Sequence, residues 1–256
     1  MKKVISFSLW GDKPFYNVGA LRNVELAKQH FEGWVCRFYI GTSTPKDTIQ
    51  KLESHDNVEV VAMNDDEGWN GMFWRFYAIS DPDVDVMISR DVDSRLSNRD
   101  SCAVNEWIES GKKLHIMRDH PMHGEPMMGG MWGCRTKEIT FDNIKETIHN
   151  WLKEERINLE GFHGVDQKFL RRFLYEPLYK EAFIHDSFPI YNSWSGRFEV
   201  RLTERKEQNT GFPTKRIDWN DFIGQVYDEN DVPNITSSEF LKQRDECIYM
   251  DAPVRK

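Results

Sequence analysis

Short apolar runs alternate with amphipathic stretches along most of the chain. The runs expected to form buried strands are KVISFSLWG, WVCRFYIG, NVEVVAM, DVDVMIS and KLHIMR. Between them, apolar side chains recur every three or four residues, as they do on one face of a helix. The clearest stripes are Leu21, Val24, Ala27 and Phe31, and then Trp69, Met72, Phe73, Phe76 and Ile79. This alternation predicts an α/β fold in which helices sandwich a mostly parallel sheet.

Further helical patterns follow before the chain changes character. They are DTIQKLESH, a stretch around 103–108, a stripe at Ile144, Ile148, Trp151 and Leu152, and a stripe at Val165, Phe169, Leu170 and Phe173. Asp142 is the expected N-cap of the helix that contains Ile144. From about Ser195 the sequence becomes polar and irregular, as in RLTERKEQNTGFPTKR. We therefore expect a single domain over residues 1–194 and a C-terminal extension, 195–256, that packs on and covers the same domain.

Composition narrows the class of protein. The chain has 256 residues, of which 39% are hydrophobic and 30% charged, and these values are typical of a globular protein. A net charge of −8 without a basic stripe argues against nucleic-acid binding. No apolar run approaches the roughly 20 residues that a transmembrane segment needs. The four cysteines are scattered without a C-x-x-C pair, so we expect reduced thiols and a cytoplasmic location.

An acid pair follows the fourth apolar run, in the sequence VDVMISRDVDSRL. Asp91 and Asp93 lie between Arg90 and Arg95, at the carboxyl end of the expected strand, where α/β sheets bind ligands. Two neighbouring carboxylates repel each other, and a divalent cation such as Mg²⁺ or Mn²⁺ relieves the repulsion. The nearby arginines would then bind the remaining charge of a diphosphate. The alternative is a solvated loop in which the two acids simply pair with these arginines.

Several motifs in chain order resemble one enzyme family. SRDVDSR resembles the DxD motif of the GT-A glycosyltransferases, which transfer a sugar from a nucleotide donor. The other segments are SLWGDKPFYNVGALRN, GMFWRFYAISD, MRDHPMHGEPMMGGMWGCR, GVDQKFL and HDS. Together, from about Ser8 to Ser187, they resemble small DxD proteins of glycosyltransferase type from bacteria and large DNA viruses. The resemblance implies a GT-A-like, Rossmann-related fold, a nucleotide-sugar donor, a glycan or polysaccharide acceptor, and Mn²⁺ or Mg²⁺ as cofactor.

The resemblance also implies a set of metal ligands. Asp93, the second acid of the motif, would bind the metal, and Asp91 would reach the ribose or share the metal through water. A third ligand in many of these enzymes is a histidine near the end of the domain. His185 in FIHDSF occupies the matching place, with Asp186 as a substitute.

The donor nucleotide would lie across the end of the first strand. Ser8 and Trp10 would line it there, with Trp10 stacking on the base, although Trp10 could equally pack in the core. Arg75 in FWRF lies among aromatic residues and needs a partner, which either the diphosphate or Asp91 would supply.

Two acids are candidates for contact with the reacting sugars. Asp166 in GVDQKFL matches the position where inverting GT-A enzymes have their catalytic base, although it could instead cap a helix, and retaining enzymes show a similar segment. The stereochemical course therefore stays open. Asp119 is the second candidate catalytic residue; with His120 it would hydrogen-bond sugar hydroxyls. Gly129 and Gly130 indicate either a close approach of the backbone or positive φ angles.

Two other classes of protein share parts of this pattern. Haloacid-dehalogenase-type phosphatases have D-x-D-x-[TV] after an apolar strand, but here Arg95 occupies the fifth position. A non-catalytic nucleotide- or sugar-binding protein of the same fold would bind its ligand without turning it over. The sequence favours a metal-dependent glycosyltransferase over both.

Overall fold

A central sheet of seven strands organises the chain. The computed structural model describes residues 1–64, 68–139, 141–159, 164–188, 190–195, 199–204 and 207–234, and in 190–204 only the course of the backbone. The strands of the sheet are β1 (Lys3–Leu9), β2 (Trp34–Ile40), β3 (Val58–Ala62), β4 (Val86–Ser89), β5 (Leu114–Arg118), β6 (Trp132–Arg135) and β7 (Ala182–Asp186). The first five coincide with the five apolar runs of the sequence.

The sheet is mostly parallel, as predicted. Its strand order is β3-β2-β1-β4-β6-β5-β7. Every neighbouring pair is parallel except the two pairs that involve β6, which runs antiparallel to β4 and β5. The prediction of an α/β fold with a mostly parallel sheet is therefore confirmed.

Helices cover both faces of this sheet. They are α1 (Pro14–His30), α2 (Lys46–Glu53), α3 (Asn98–Ser110), α4 (Ile144–Glu154), α5 (Val165–Leu170) and α6 (Glu176–Leu178). A long 3₁₀ helix, Gly68–Ser80, lies where the sequence predicts a helix, and a π-helical turn, Arg171–Tyr175, joins α5 to α6. The N-cap of α4 is Asn143, whose side chain accepts a hydrogen bond from the Glu146 N–H; the prediction of Asp142 was wrong by one residue.

The hydrophobic core has one layer on each face. Alternate residues of β1, Ile5, Phe7 and Leu9, pack with α1 and α3. The opposite face carries the 3₁₀ helix, α4 and α5, which pack together through large aromatic side chains such as Phe73 and Phe169. Burial on both faces explains why the strands are nearly continuous apolar runs.

The strand order places a crevice beside β1. From β1 the chain moves to β2 and then β3 on one side, whereas β4 lies on the other side of β1. At such a reversal the connections diverge, and ligands bind beyond the carboxyl ends of the two strands. Ser8 at the end of β1 and the acid pair after β4 both lie at this edge.

Residues 207–234 run along the same edge. Thr210 bridges to His185 at the end of β7, and Val226 bridges to Ser94 in the loop after β4. Before this segment, β8 (Ile190–Ser195) and β9 (Glu199–Glu204) form an antiparallel pair. We expected irregular structure from about Ser195, and for β9 this expectation was wrong. The expected domain boundary at 194/195 falls inside β8. Residues 235–256 of the predicted extension lie outside the described residues.

Among the described residues, no helix combines the length and the apolar character that are needed to cross a bilayer.

Candidate active site

The acid pair lies in the loop that leaves β4, at the crevice beside β1. The side chain of Asp91 is 41% exposed, and Asp93 is also only partly buried. Burial, and next the charge of Asp91, raise the pKa of Asp93 to about 7. Within the described residues no ion pair reaches the Asp93 carboxylate. The two arginines of the loop pair with other acids, Arg90 with Asp100 and Arg95 with Asp231, contrary to the solvated-loop alternative.

Arg75 connects Asp91 of this acid pair to Asp166, the candidate catalytic base. Its Nη1 donates to Asp91 Oδ1 at 2.5 Å, and its Nη2 donates to Asp166 Oδ2 at 2.9 Å. The guanidinium is 11% exposed and Asp166 is 8% exposed. The site is thus a row of three charged groups, Asp91, Arg75 and Asp166, contributed by three separate elements of the fold.

Small residues on β1 allow the 3₁₀ helix to hold Arg75 in this position. The hydroxyl of Ser8 accepts a hydrogen bond of 2.9 Å from the backbone N–H of Arg75. A larger side chain at Ser8 would push the helix away from the strand. Ser8 is therefore at the predicted site, where it fixes the backbone of Arg75.

Trp10 packs at the same edge. Its ring makes an edge contact with Trp74, with centroids 5.7 Å apart, and lies against Gly71, where a Cβ would come 2.7 Å from the ring. Trp10 is only partly buried. The indole therefore packs against Trp74 and Gly71, and stacking of Trp10 on a base stays a prediction.

Gly129 and Gly130 form a close-fitting wall behind the charged row. A Cβ on Gly130 would lie 2.5 Å from Asp91 Cγ, and a Cβ on Gly129 would overlap the Asp166 carboxylate and the Arg75 guanidinium. Neither glycine has a positive φ. Of the two explanations that the sequence left open, close backbone approach is the one that the structure shows.

Asp166 lies in the first turn of α5. Gly164 is the N-cap residue, with φ of 80°, so Asp166 does not cap the helix. Its Oδ1 accepts a hydrogen bond from the Gln167 N–H at 2.9 Å, and Oδ2 accepts from Arg75. Burial raises the pKa of Asp166, and the charge of Asp91 adds to this effect, whereas Arg75 opposes it. A buried carboxylate with a raised pKa is a suitable proton acceptor for a general base.

Arg90 does not face the site, contrary to the prediction. It forms a two-point ion pair with Asp100 of α3, with Nε–Oδ2 at 2.8 Å and Nη2–Oδ1 at 2.7 Å, and its remaining nitrogen donates to the carbonyls of Ser89 and Trp132. Arg90 is 2% exposed. Because all three of its nitrogens donate to β4, β6 and α3 and the side chain is buried, its role in this structure is structural.

Arg95 is also engaged within the fold. Its Nε donates to Asp231 Oδ1 at 2.9 Å, and its Nη atoms donate to the carbonyls of Ser94 and Asp228. The prediction that Arg95 binds the donor diphosphate is therefore wrong for this conformation. It fastens the acid-pair loop to the segment that covers it.

Asp119 is a structural ion-pair centre and not a sugar ligand. It is fully buried, and both of its oxygens accept hydrogen bonds from Arg99, Arg216, the Ser187 hydroxyl and the Ile223 N–H. Burial alone would raise its pKa, but Arg216 and Arg99 outweigh burial and hold the pKa well below the usual range. With no oxygen free for a sugar hydroxyl, the predicted catalytic role of Asp119 is wrong.

His185 is also placed elsewhere. Its Nδ1 lies 2.9 Å from His115 Nε2, and its Nε2 lies 3.0 Å from Glu106 Oε2. It is fully buried on β7, three strands away from β4. Both ring nitrogens are therefore used, and the prediction that His185 completes the metal site is wrong for this structure. Asp186, the substitute, forms a buried ion pair with Arg118 at 2.7 Å.

Two residues of α1 belong to the site and were missed in the sequence. The amide of Asn23 donates to the carbonyls of Ser94 at 2.9 Å and Val92 at 3.3 Å, and its oxygen accepts from the Leu96 N–H. Burial raises the pKa of Tyr16 on the same helix, and the charges of Asp93 and Asp91 raise it further. Both lie within the segment SLWGDKPFYNVGALRN, but there they appear as ordinary positions of an amphipathic helix, and the sequence analysis gave them no role.

The acid pair suits a hard divalent cation. Mg²⁺ in proteins commonly binds one or two carboxylates and completes its shell with water and substrate phosphate oxygens. Asp91 and Asp93 supply two such carboxylates; Asp91 is paired with Arg75, whereas no ion pair of the described residues reaches Asp93. The described residues contain no cluster of three or more acidic, histidine or cysteine side chains arranged for a metal. The donor set thus fits a cation that is shared with a ligand.

Comparisons with known proteins give fold-level similarities only. No family model matches the chain, and no curated protein matches it. Similar solved structures include the galactosyltransferase LgtC in complex with donor and acceptor sugar analogs, at 14% identity over 72% of this chain and 73% of that chain, with a TM-score of 0.47.

Two further structures have comparable scores. A 4-diphosphocytidyl-2C-methyl-D-erythritol synthase from Anaerococcus prevotii matches at 11% identity over 72% of this chain and 86% of that chain, with a TM-score of 0.45. The mannosyltransferase PcManGT from Pyrobaculum calidifontis, in complex with GDP-Man and Mn²⁺, matches at 10% identity over 72% of this chain and 55% of that chain, also with a TM-score of 0.45. At TM-scores below 0.5 these similarities carry no argument about the chemistry of this chain.

Proposed function

We propose that this protein is a metal-dependent glycosyltransferase that moves a sugar from a nucleoside-diphosphate-sugar donor to a glycan or polysaccharide acceptor. The observation that supports the proposal is the position of the acid pair. Asp91 and Asp93 lie at the carboxyl end of β4, beside the strand-order reversal, and Arg75 links Asp91 to a third acid, Asp166. The DxD resemblance of the sequence points to the same chemistry.

In this proposal Asp91 and Asp93 hold Mn²⁺ or Mg²⁺. When bound, the cation neutralises charge that develops on the leaving diphosphate. The carboxylate of Asp93 must be deprotonated to bind it, and the approach of a cation lowers a pKa that burial has raised. The same ion relieves the repulsion between the two acids, so cation and fold stabilise each other.

Arg75 and Asp166 would act on the sugars. Arg75 holds Asp166 Oδ2 in a fixed direction, and the buried position of the pair keeps water away from it. In an inverting transfer, Asp166 would take the proton from the attacking hydroxyl of the acceptor, and its raised pKa favours that step. In a retaining transfer the same carboxylate would only position the donor sugar.

Thermal unfolding with nucleotides tests the donor half of this proposal. UDP, GDP, dTDP and CMP are each added with and without Mn²⁺. A ligand at about a hundred times its dissociation constant adds about 2.7 kcal/mol of stability, which for this chain length raises Tm by roughly 5 to 10 °C. We expect one nucleotide to stabilise the protein only when Mn²⁺ is present, and the effect to be absent in Asp93→Ala.

Asp83→Ala is the matched control, because Asp83 is an exposed acid before the amino end of the same strand. It should keep the nucleotide effect. If no nucleotide stabilises the wild type, or if Asp93→Ala responds like the wild type, the proposed donor site is refuted. Release of inorganic phosphate without sugar transfer would favour the phosphatase alternative, and binding without turnover would favour the non-catalytic one.

A further inference from the structure

A short hairpin of the C-terminal segment lies directly against the acid-pair loop. The hairpin, residues 226–234, is closed by the Asp228 N–H donating to the Val232 carbonyl and the Asn234 N–H donating to the Val226 carbonyl. The Tyr227 N–H donates to the carbonyl of Asp93 at 2.9 Å. The backbone of the metal-binding acid is thus held by a segment more than 130 residues later in the chain.

Arg95 fastens this hairpin to the loop. Its guanidinium donates to the Ser94 carbonyl on the loop side, and to the Asp228 carbonyl and the Asp231 carboxylate on the hairpin side. It also lies over the ring of Tyr227, 5.2 Å from the centroid. Because it joins loop and hairpin at several points, its orientation sets how the loop lies.

Asp231 sets the orientation of Arg95. Its Oδ1 accepts from Arg95 Nε at 2.9 Å, and its Oδ2 accepts from Arg22 Nε of α1 at 2.8 Å. Asp231 has a φ of 60°, in the left-handed region, which aspartate and asparagine occupy more often than other residues with a side chain. Its two charge-assisted hydrogen bonds hold the carboxylate between Arg95 and Arg22.

The other side of the loop is held differently. There the buried amide of Asn23 binds the loop carbonyls, and Gly19 brings α1 so close that a Cβ would overlap the Val92 carbonyl. That side is closely packed, whereas Asp231 is 36% exposed and Arg22 is 50% exposed. The hairpin side is therefore where a small change can move the loop without unfolding the core.

We propose that Asp231 is a positioning residue for the cation site: through Arg95 it fixes the hairpin and the loop so that Asp91 and Asp93 keep the geometry that a divalent cation needs. The proposal rests on the cation-binding part of the proposed function and not on glycosyl transfer. Groups that orient metal ligands without touching the metal typically change its affinity 10- to 100-fold when they are removed.

Titration of the full-length protein with Mn²⁺ alone, following the free-ion signal by electron paramagnetic resonance, tests the proposal. Asp231→Asn removes the charge but keeps a residue that tolerates the left-handed backbone. Any loss of Mn²⁺ affinity in this variant therefore reports on the ion pairs alone. We expect its affinity for Mn²⁺ to fall about 10-fold. Glu25→Gln is the matched control, because Glu25 pairs with the same Arg22 at 3.0 Å without touching the loop; its affinity should change less than about twofold.

A second variant separates positioning from a general loss of stability. Arg95→Lys keeps the charge but loses the planar fork, so it should weaken Mn²⁺ binding as Asp231→Asn does, and the double variant should be no weaker than either. Tm should fall by similar small amounts in Asp231→Asn and Glu25→Gln. The inference would be overturned if Asp231→Asn kept the affinity of the wild type for Mn²⁺, or if Glu25→Gln lost as much affinity as Asp231→Asn. It would also be overturned by additive losses of affinity in the double variant, or by a wild type that binds no Mn²⁺. Asp231-dependent Mn²⁺ binding without sugar transfer would refute the proposed function and leave this inference standing.

Discussion

At the scale of single residues, burial decides which charged side chains are available for chemistry. Arg90, Arg95 and Asp119 all lie in motifs that suggest ligand binding, yet the structure uses every one of them in ion pairs within the fold. Arg75 and Asp166 are equally buried, but their pairing also includes the half-exposed Asp91. A partly open carboxylate at the end of a buried charged row is what distinguishes the candidate site from the structural ion pairs.

Gly130→Ala should weaken cation-dependent nucleotide binding. The new Cβ would lie against Asp91, so the carboxylate or the loop must move, and we expect the dissociation constant to rise at least about tenfold. Calorimetric titration with Mn²⁺ and the nucleotide found in the thermal screen measures this. Gly111→Ala is the control, since it strains a left-handed residue, φ 69°, with open space around it. It should cost about 1 kcal/mol of stability and leave affinity unchanged; equal affinity loss in both variants would point to stability as the cause.

Asp166→Asn should separate binding from transfer. The amide keeps a hydrogen-bond acceptor for Arg75 but cannot take a proton, so donor affinity should stay within about threefold while turnover falls at least about 100-fold. Single-turnover kinetics with the identified donor provides the measurement. Turnover close to that of the wild type would exclude Asp166 as the base and favour the retaining course.

At the scale of elements, a pair of buried histidines joins three of them. His115 of β5 stacks on Trp107 of α3, with centroids 5.1 Å apart, and bonds to His185 of β7, which bonds in turn to Glu106 of α3. Burial, then the charges of His185 and Arg90, hold the pKa of His115 well below its usual value. Burial also lowers the pKa of His185, although Glu106 and Asp119 oppose the effect and Arg99 adds to it.

This histidine pair should make the fold sensitive to acid. Because the folded-state pKa values are lowered, the contribution to stability is complete above the unfolded value of about 6.5 and is lost as the pH falls below it. For each histidine that stays neutral in the folded state, the free energy of unfolding falls by up to about 1.4 kcal/mol per pH unit in that range. When urea unfolding is measured between pH 7.5 and 5.5, the free energy of unfolding of His185→Gln should depend less steeply on pH than that of the wild type. His149→Gln, an exposed position on α4, should follow the wild type; identical slopes in all three proteins would contradict the prediction.

At the scale of the whole molecule, the carboxyl edge of the sheet is held together by contacts far apart in sequence. Asp119 after β5 binds Arg99 of α3 and Arg216 of the C-terminal segment, and Arg118 binds Asp186 of β7. The same segment then reaches the acid-pair loop through its hairpin. The candidate site is therefore built on an edge whose geometry depends on the complete chain order.

Asp119→Asn should destabilise the protein strongly. Removing one charge from a buried ion-pair network leaves two arginines uncompensated, which costs about 3 to 5 kcal/mol. Urea unfolding should show this loss, whereas Asp47→Asn, which breaks an exposed pair with Lys51 in α2, should leave the curve unchanged. At low temperature the folded fraction of Asp119→Asn should still bind Mn²⁺. A loss of turnover at full stability would instead restore the catalytic role that the sequence suggested.

Local pattern was enough to predict much of the fold. Five strands and the helices between them follow from hydrophobic periodicity, because burial on one or both faces imposes a period that can be recognised without knowing the partner. The short strands β6 and β7 escaped recognition. WGCR and AFIHD are too short and too mixed to show a period, and β6 owes its place to pairing with β4 and β5.

The sequence by itself determined the α/β class and the position of the acid pair at the end of a buried strand, whereas it left open whether the two adjacent glycines allow close approach or positive φ angles. Only the tertiary structure decided which charges are free, because an arginine or carboxylate has the same letter whether it faces a ligand or a buried partner. Arg75, Asp91 and Asp166 come together from three elements, while Arg95 turns away to Asp231. Ion pairing depends on distances between residues remote in sequence, and no local pattern encodes those distances.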